Sequence, residues 1–164
     1  MLAGARDGVY PSTSDRISEI ELKQVRSFKA RLEHAKWVEK GESVNYWGRF
    51  IAPRRMRIST VHVGFYDALL RELSNSGRVK IGNGFRSILG SVSLNHILFN
   101  LTGTGIEPGD VVEVIGREGE NTVNAIADVA EWVTYSILNH LNPLRLGYTV
   151  RKGSRWPSSN HRTM

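Results

Sequence analysis

Arg78-Val79-Lys80-Ile81-Gly82-Asn83-Gly84-Phe85-Arg86-Ser87-Ile88 decides the fold class. Two short runs of strand-forming residues flank Gly82-Asn83-Gly84, whose glycines and Asn supply positive φ, so the stretch predicts a β-hairpin. Upstream, Arg57-Ile58-Ser59-Thr60-Val61-His62-Val63 alternates apolar and polar residues and predicts a strand ended by Gly64. Tyr66 to Leu73 predicts a short helix or turn, and Ser43 to Ala52 an extended segment ending at Pro53. Between Val25 and Val38 the alternation of Phe28, Ala30 and Leu32 predicts a half-buried strand, although the charges between them also suit a helix. Glu39-Lys40-Gly41-Glu42 reads as a turn.

Downstream, Val92 to Leu101 predicts another strand and Thr102 to Gly105 a loop. Pro108-Gly109-Asp110 predicts a tight turn into a buried strand, Val111 to Ile115, followed by a polar turn from Gly116 to Glu120. Ile126, Val129, Ala130 and Val133 recur at helical spacing, so 124–133 predicts a helix capped by Asn124 or Thr122. A second short apolar run follows at Ile137, Leu138 and Leu141, and Leu146 to Val150 predicts a last strand. Tyr10-Pro11-Ser12-Thr13-Ser14-Asp15 is loop chemistry, and 151–164 reads as a basic tail without structure. The whole predicts a mostly-β, small barrel-like domain with one or two short helices.

A chain of 164 residues has room for one core, and 40% hydrophobic with 23% charged residues is a globular balance. No apolar run is long enough to span a membrane, no secretory leader is visible, and a cytoplasmic location is expected. The absence of Cys excludes disulfides, thiolate metal sites and Cys nucleophiles. Net charge is +6, but it divides into +5 over 1–57, −4 over 58–144 and +5 over 145–164. The best-patterned part is therefore acidic, which argues against a nucleic-acid reader.

Gly103-Thr104-Gly105 lacks the Lys-Ser/Thr ending of a phosphate loop and reads as a plain loop. The histidines at 34, 62, 96, 140 and 161 show no metal-ligand spacing, and none is expected to hold a metal. No Gly-x-Ser-x-Gly elbow and no evident carboxylate pair is present. Tyr46 either packs on a sheet rim or serves as a general base. The second role requires cations or hydrogen bonds to lower a phenol pKa of about 10. Arg49, Arg54, Arg55 and Arg57 are its nearest cations in sequence. Tyr135 either presents its hydroxyl to a ligand or caps a sheet edge.

Several motifs carry a resemblance. Gly41-Glu42-Ser43-Val44-Asn45-Tyr46-Trp47 resembles Gly-Glu-x-Val-Ser-Tyr-Gly. Thr60-Val61-His62-Val63-Gly64-Phe65-Tyr66-Asp67-Ala68 resembles Thr-x-Pro-Val-Gly-Tyr-Ala-Asp-Gly. The segment 88–96 resembles Val-Gly-Arg-Val-Cys-Met-Asp-Gln. Pro108 to Gly119 is the most specific stretch, and Thr134-Tyr135-Ser136-Ile137-Leu138 resembles Ser/Asn-Tyr-Glu-Ile-Leu. Together these resemble the C-terminal β domain of alanine racemase, a pyridoxal-phosphate enzyme, from about Phe28 to Val150.

The resemblance implies a homodimeric enzyme in which an N-terminal β/α barrel and this β domain complete each other's active site. It assigns Tyr46 the role of the base at the substrate α-carbon and Tyr135 a bond to the cofactor phosphate. Phe65 stands for the substrate-entry tyrosine, Leu94 for a substrate-contacting Met and Asn95 for an Asp. No barrel and no cofactor lysine context is found, so the chain is not expected to racemise alanine alone. The implied role is in the interconversion of L- and D-alanine, the supply of D-alanine for peptidoglycan, when a barrel domain is combined with it. The alternative is a non-catalytic dimerisation or interaction module. The expected division is a linker remnant over 1–24, the β domain over 25–150 and the basic tail over 151–164.

Overall fold

The computed structural model describes residues 23–142 together with Gly8 and Gly147. The loop at 10–15, nearly all of the 1–24 linker, the strand expected over 146–150 apart from Gly147, and the 151–164 tail lie outside the described residues.

The backbone winds into a six-stranded antiparallel sheet with strand order β6-β5-β8-β1-β4-β7. Its strands are β1 (Phe28–Val38), β4 (Met56–Val61), β5 (Arg78–Ile81), β6 (Gly84–Ser87), β7 (Ile97–Asn100) and β8 (Val111–Ile115). Two shorter strands, β2 (Ser43–Val44) and β3 (Phe50–Ile51), form a separate hairpin. The outer edges of the large sheet approach each other. Ile88 forms a bridge with Phe99, and the Leu89 amide donates to the Leu98 carbonyl at 2.7 Å. The sheet thereby curls into a nearly closed barrel, the mostly-β, barrel-like class that the sequence predicts.

β1 is the longest strand and serves both halves of the barrel. Its first residues pair with β8, from Phe28 opposite Ile115 to Arg31 opposite Val111. Its remainder pairs with β4, from Leu32 opposite Val61 to Val38 opposite Met56. The register slips between Leu32 and His34, which leaves Glu33 as an extra residue in a β-bulge. Bulges bend a strand and increase its twist, as a strand shared between two partners requires.

The main core gathers inward-facing side chains from every strand of the barrel except β6, among them Leu32, Val61, Val79, Phe99 and Val112, each at most 1% exposed. One end is covered by α1 (Val123–Ala130) and α2 (Thr134–Asn139). The Thr122 hydroxyl caps α1 by accepting from the Ala125 amide at 3.2 Å, which settles the choice between Thr122 and Asn124. Gln24, inside the stretch read as linker, is buried there. Its side-chain amide donates to the Gly116 carbonyl at 2.7 Å and accepts from the Val123 amide at 2.8 Å, so it satisfies a free donor of the helix start.

Four local expectations are corrected. The strand expected over 92–101 shrinks to β7, because Ser93 to His96 closes into a turn in which the Ser93 hydroxyl and amide bond the His96 backbone. Val111 is exposed although the rest of β8 is largely buried. In the 78–88 hairpin the positive φ falls on Gly82 alone. The helix expected over 124–133 stops at Ala130, because Glu131 adopts φ 56°, ψ 36° and turns the chain away. Val133 lies beyond the helix end and is exposed, and Val129, within the helix, is exposed on a side away from the buried Ile126, Ala127 and Ala130.

A left-handed conformation costs a non-glycine residue about 1–2 kcal/mol, while a glycine adds under about 1 kcal/mol of unfolded-state entropy. Glu131→Gly is therefore expected to stabilise the chain by about 0.5–1 kcal/mol, measured as a higher urea midpoint with an unchanged slope.

Candidate functional site

Three loops from separate parts of the chain meet at an open cleft of about 380 Å³. The first is the β2–β3 turn. Val44 pairs with Phe50, so the five residues between them must reverse the chain, and Tyr46–Gly48 forms a single 3-10 turn. The Asn45 side chain fixes this turn from both sides. Its Oδ1 accepts from the Tyr46 amide at 2.7 Å, and its Nδ2 donates to the Ser91 carbonyl. The Tyr46 side chain is two-thirds exposed.

The second loop follows β4. Gly64 lies so close to the Ser93–Leu94 backbone that a Cβ would stand 2.3 Å from the Ser93 carbonyl oxygen. Its amide donates to the buried Asp67 carboxylate at 3.0 Å. Phe65 and Tyr66 then donate backbone bonds to the Ser93 and Leu94 carbonyls, each at 3.0 Å. The third loop is the Ser93–His96 turn itself, with Leu94 and Asn95 at its tip. Ser91 and Val92 lead into it, and the Val92 amide donates to the Ser74 hydroxyl at 3.0 Å. The Ser91 hydroxyl is buried without a hydrogen-bond partner among the described residues.

Tyr46, Phe65, Leu94 and Asn95 all line this cleft, together with Trp47, Arg71 and His96 among others. Four of the five site residues read from the sequence are therefore neighbours in space. Tyr135 is not among the lining residues. It projects half-exposed from α2, at the helical end of the barrel.

The cations nearest Tyr46 in sequence do not line the cleft. Arg55 stacks on Trp37 and pairs with Glu39 at 3.0 Å. Arg57 pairs with Glu107 and donates to the Ile106 carbonyl at 3.1 Å, and the Glu107 hydrogen bond raises its pKa further above the usual guanidinium value. The cation that does line the cleft is Arg71, whose guanidinium lies over the Phe65 ring, 5.4 Å from its centroid. Nothing in the local sequence marks Arg71. It reaches the cleft because the turns after β4 fold back under the 91–96 segment. The cleft thus offers a phenol, a guanidinium, an amide and aromatic faces, and among the described residues no lysine lines it. That donor set fits one wall of a site for a planar, anionic ligand, but not a complete seat.

Residues 25–146 match the family described as "Alanine racemase, C-terminal domain". The chain belongs to the alanine racemase C-terminal domain family. It is 33% identical over 134 residues to the alanine racemase of Halothermothrix orenii, covering 80% of this chain and 35% of that protein. It superposes on the alanine racemase of Streptomyces coelicolor A3(2) with a TM-score of 0.76 at 27% identity, covering 84% of this chain and 37% of that one. The Bartonella henselae alanine racemase, solved with covalently bound pyridoxal phosphate, gives a TM-score of 0.72 at 25% identity, covering 82% and 37%. The chain spans about a third of the length of the relatives it matches.

Two departures from the alanine racemase motifs gain a physical meaning here. Trp47 and Ala68 stand where those motifs carry Gly. Both hold positive φ, 68° and 78° respectively. At both positions a larger residue holds a conformation that suits glycine.

Trp47 is 89% exposed, so its removal sacrifices little burial. Trp47→Gly is expected to stabilise by up to about 1 kcal/mol in thermal unfolding, whereas Ala68→Gly is expected to be near neutral, because Ala68 is buried and loses about 0.8 kcal/mol of methyl burial. Gly64→Ala has the opposite sign. Its methyl meets backbone rather than a flexible side chain, and a loss of about 1–3 kcal/mol is expected in urea unfolding.

Proposed function

We propose that this chain forms the β-domain wall of a pyridoxal-phosphate-dependent alanine racemase and acts in combination with a barrel domain. The observation that carries this reading is the convergence of Tyr46, Phe65, Leu94 and Asn95. They come from three loops and line one cleft beside Arg71. In this role Tyr46 exchanges a proton with the substrate α-carbon on one face, its hydroxyl exposed toward the space a partner domain would close. Phe65, Leu94 and Asn95 contact the small amino acid, and the Arg71 guanidinium holds its negative charge. Tyr135, outside the cleft, presents its hydroxyl to the cofactor phosphate. Pyridoxal phosphate, when bound, supplies the electron sink that makes an α-proton removable. The lysine that holds it belongs to the barrel, so turnover needs that partner, either as a separate domain or within a homo-oligomer. The reaction interconverts L- and D-alanine in the cytoplasm and supplies D-alanine for peptidoglycan.

A second reading is an interaction module that has lost catalysis. It is favoured by Phe65, which lacks a hydroxyl and offers its ring face to Arg71 instead. Among the described residues no helix is long and apolar enough to cross a membrane.

The test joins the chain to the barrel domain of a related racemase and follows D-alanine formation. Restored turnover that falls by about 10²–10⁴ in Tyr46→Phe is expected for a general base. A stable complex with turnover unchanged by Tyr46→Phe would remove the proposed role. A stable complex with no turnover would favour the interaction module.

A further inference from the structure

We infer that Glu33, His62 and His96 form a binding site for a single divalent transition-metal ion of the zinc type. The residues are 29 and 34 positions apart in sequence, and strand register together with the β1 bulge brings them together. Val61 pairs with Leu32 on one side and with Ile97 on the other. These three inward-facing residues form one row across β1, β4 and β7. Glu33, His62 and His96 are their immediate chain neighbours. Alternation along a strand therefore turns all three toward the outer face.

The local geometry supports convergence. His62 and His96 lie one residue beyond the last registered pair of β4 and β7, Val61 opposite Ile97, and their rings stack with centroids 4.9 Å apart, close to the spacing of adjacent strands. Glu33 is the extra residue of the β1 bulge, a device that re-aims a side chain out of the regular ladder. One of its carboxylate oxygens lies 3.3 Å from His62 Nδ1 and the other 3.8 Å from His96 Nε2. One ligand atom from each residue falls in a group no wider than 4.8 Å. Donors bound tetrahedrally at about 2.0–2.1 Å from an ion stand roughly 3.3 Å apart, so rotation of exposed side chains closes the set. Two imidazoles with one carboxylate suit zinc, nickel or copper better than magnesium or calcium, which prefer an all-oxygen shell. Three protein ligands on an exposed surface leave a coordination position open to water. Neither imidazole belongs to the quoted motifs, which carry Pro and Gln at these positions. His96 also lines the cleft, so a bound ion would sit at its rim.

The competing account is an ordinary surface ion pair between Glu33 and the imidazoles, and it predicts no metal affinity. The whole chain, freed of metal with a chelator, is titrated with zinc chloride by calorimetry and followed by thermal unfolding. The expected result is saturable binding of one ion at this site, with a melting temperature that rises with zinc. His62→Ala, His96→Ala and Glu33→Gln should each weaken binding by at least the roughly tenfold that even an indirect partner of a ligand contributes. His34→Ala should leave it unchanged. Circular dichroism without metal verifies that each variant folds. No saturable binding, or an isotherm unmoved by the His62→Ala/His96→Ala double substitution, overturns the site.

Discussion

The barrel depends on one strand being held by two partners at once. β1 gives its first residues to β8 and the rest to β4, and Leu32 stands at the changeover. Its side chain lies in the main core, while its backbone binds the 108–110 turn. The Leu32 amide donates to the Asp110 carbonyl at 2.9 Å, and its carbonyl accepts from the Gly109 amide at 2.7 Å. Arg31 adds a side-chain bond to the Gly109 carbonyl at 2.9 Å. Burial and backbone pairing thus meet at one residue. The bulge at Glu33 follows directly after it.

The cleft is built on a second shared element, the 90–96 segment. It receives hydrogen bonds from the Asn45 side chain and from the Phe65 and Tyr66 amides, and its own amides donate to Asn75 Oδ1 and the Ser74 hydroxyl. The third loop is part of this segment, and the other two are tied to it, one by the Asn45 side chain and one by the Phe65 and Tyr66 amides. That is how a mostly-β scaffold fixes side chains outside its strands.

Local patterning made the barrel strands readable to differing degrees. The 78–87 hairpin and the 111–115 strand follow from alternation, turn glycines and apolar density. These are local properties: β5 and β8 match their predicted bounds, and β6 begins one residue earlier, at Gly84, and ends at Ser87 instead of Ile88. The 92–101 segment misled because Val92 and Leu94 are apolar, whereas the Ser93 bonds that fold it back depend on hydroxyl geometry. Tyr46, Phe65, Leu94 and Asn95 were identified through motif resemblance, and the structure gathers them. Arg71 escaped because its place is set by tertiary folding and no motif marks it. The grouping of Glu33, His62 and His96 escaped for a related reason: sequence spacing carries no information about register across three strands.

The barrel closes at its seam through very little. Apart from the Ile88–Phe99 bridge and the Leu89–Leu98 bond, β6 and β7 are not laddered together. A closed barrel has no free edges, but one fastened this sparsely keeps two strands whose unpaired amides and carbonyls are only briefly out of reach. Opening the seam would break few bonds and expose both edges in one motion. The seam is therefore the place where this barrel most nearly keeps the exposed edges of an open sheet.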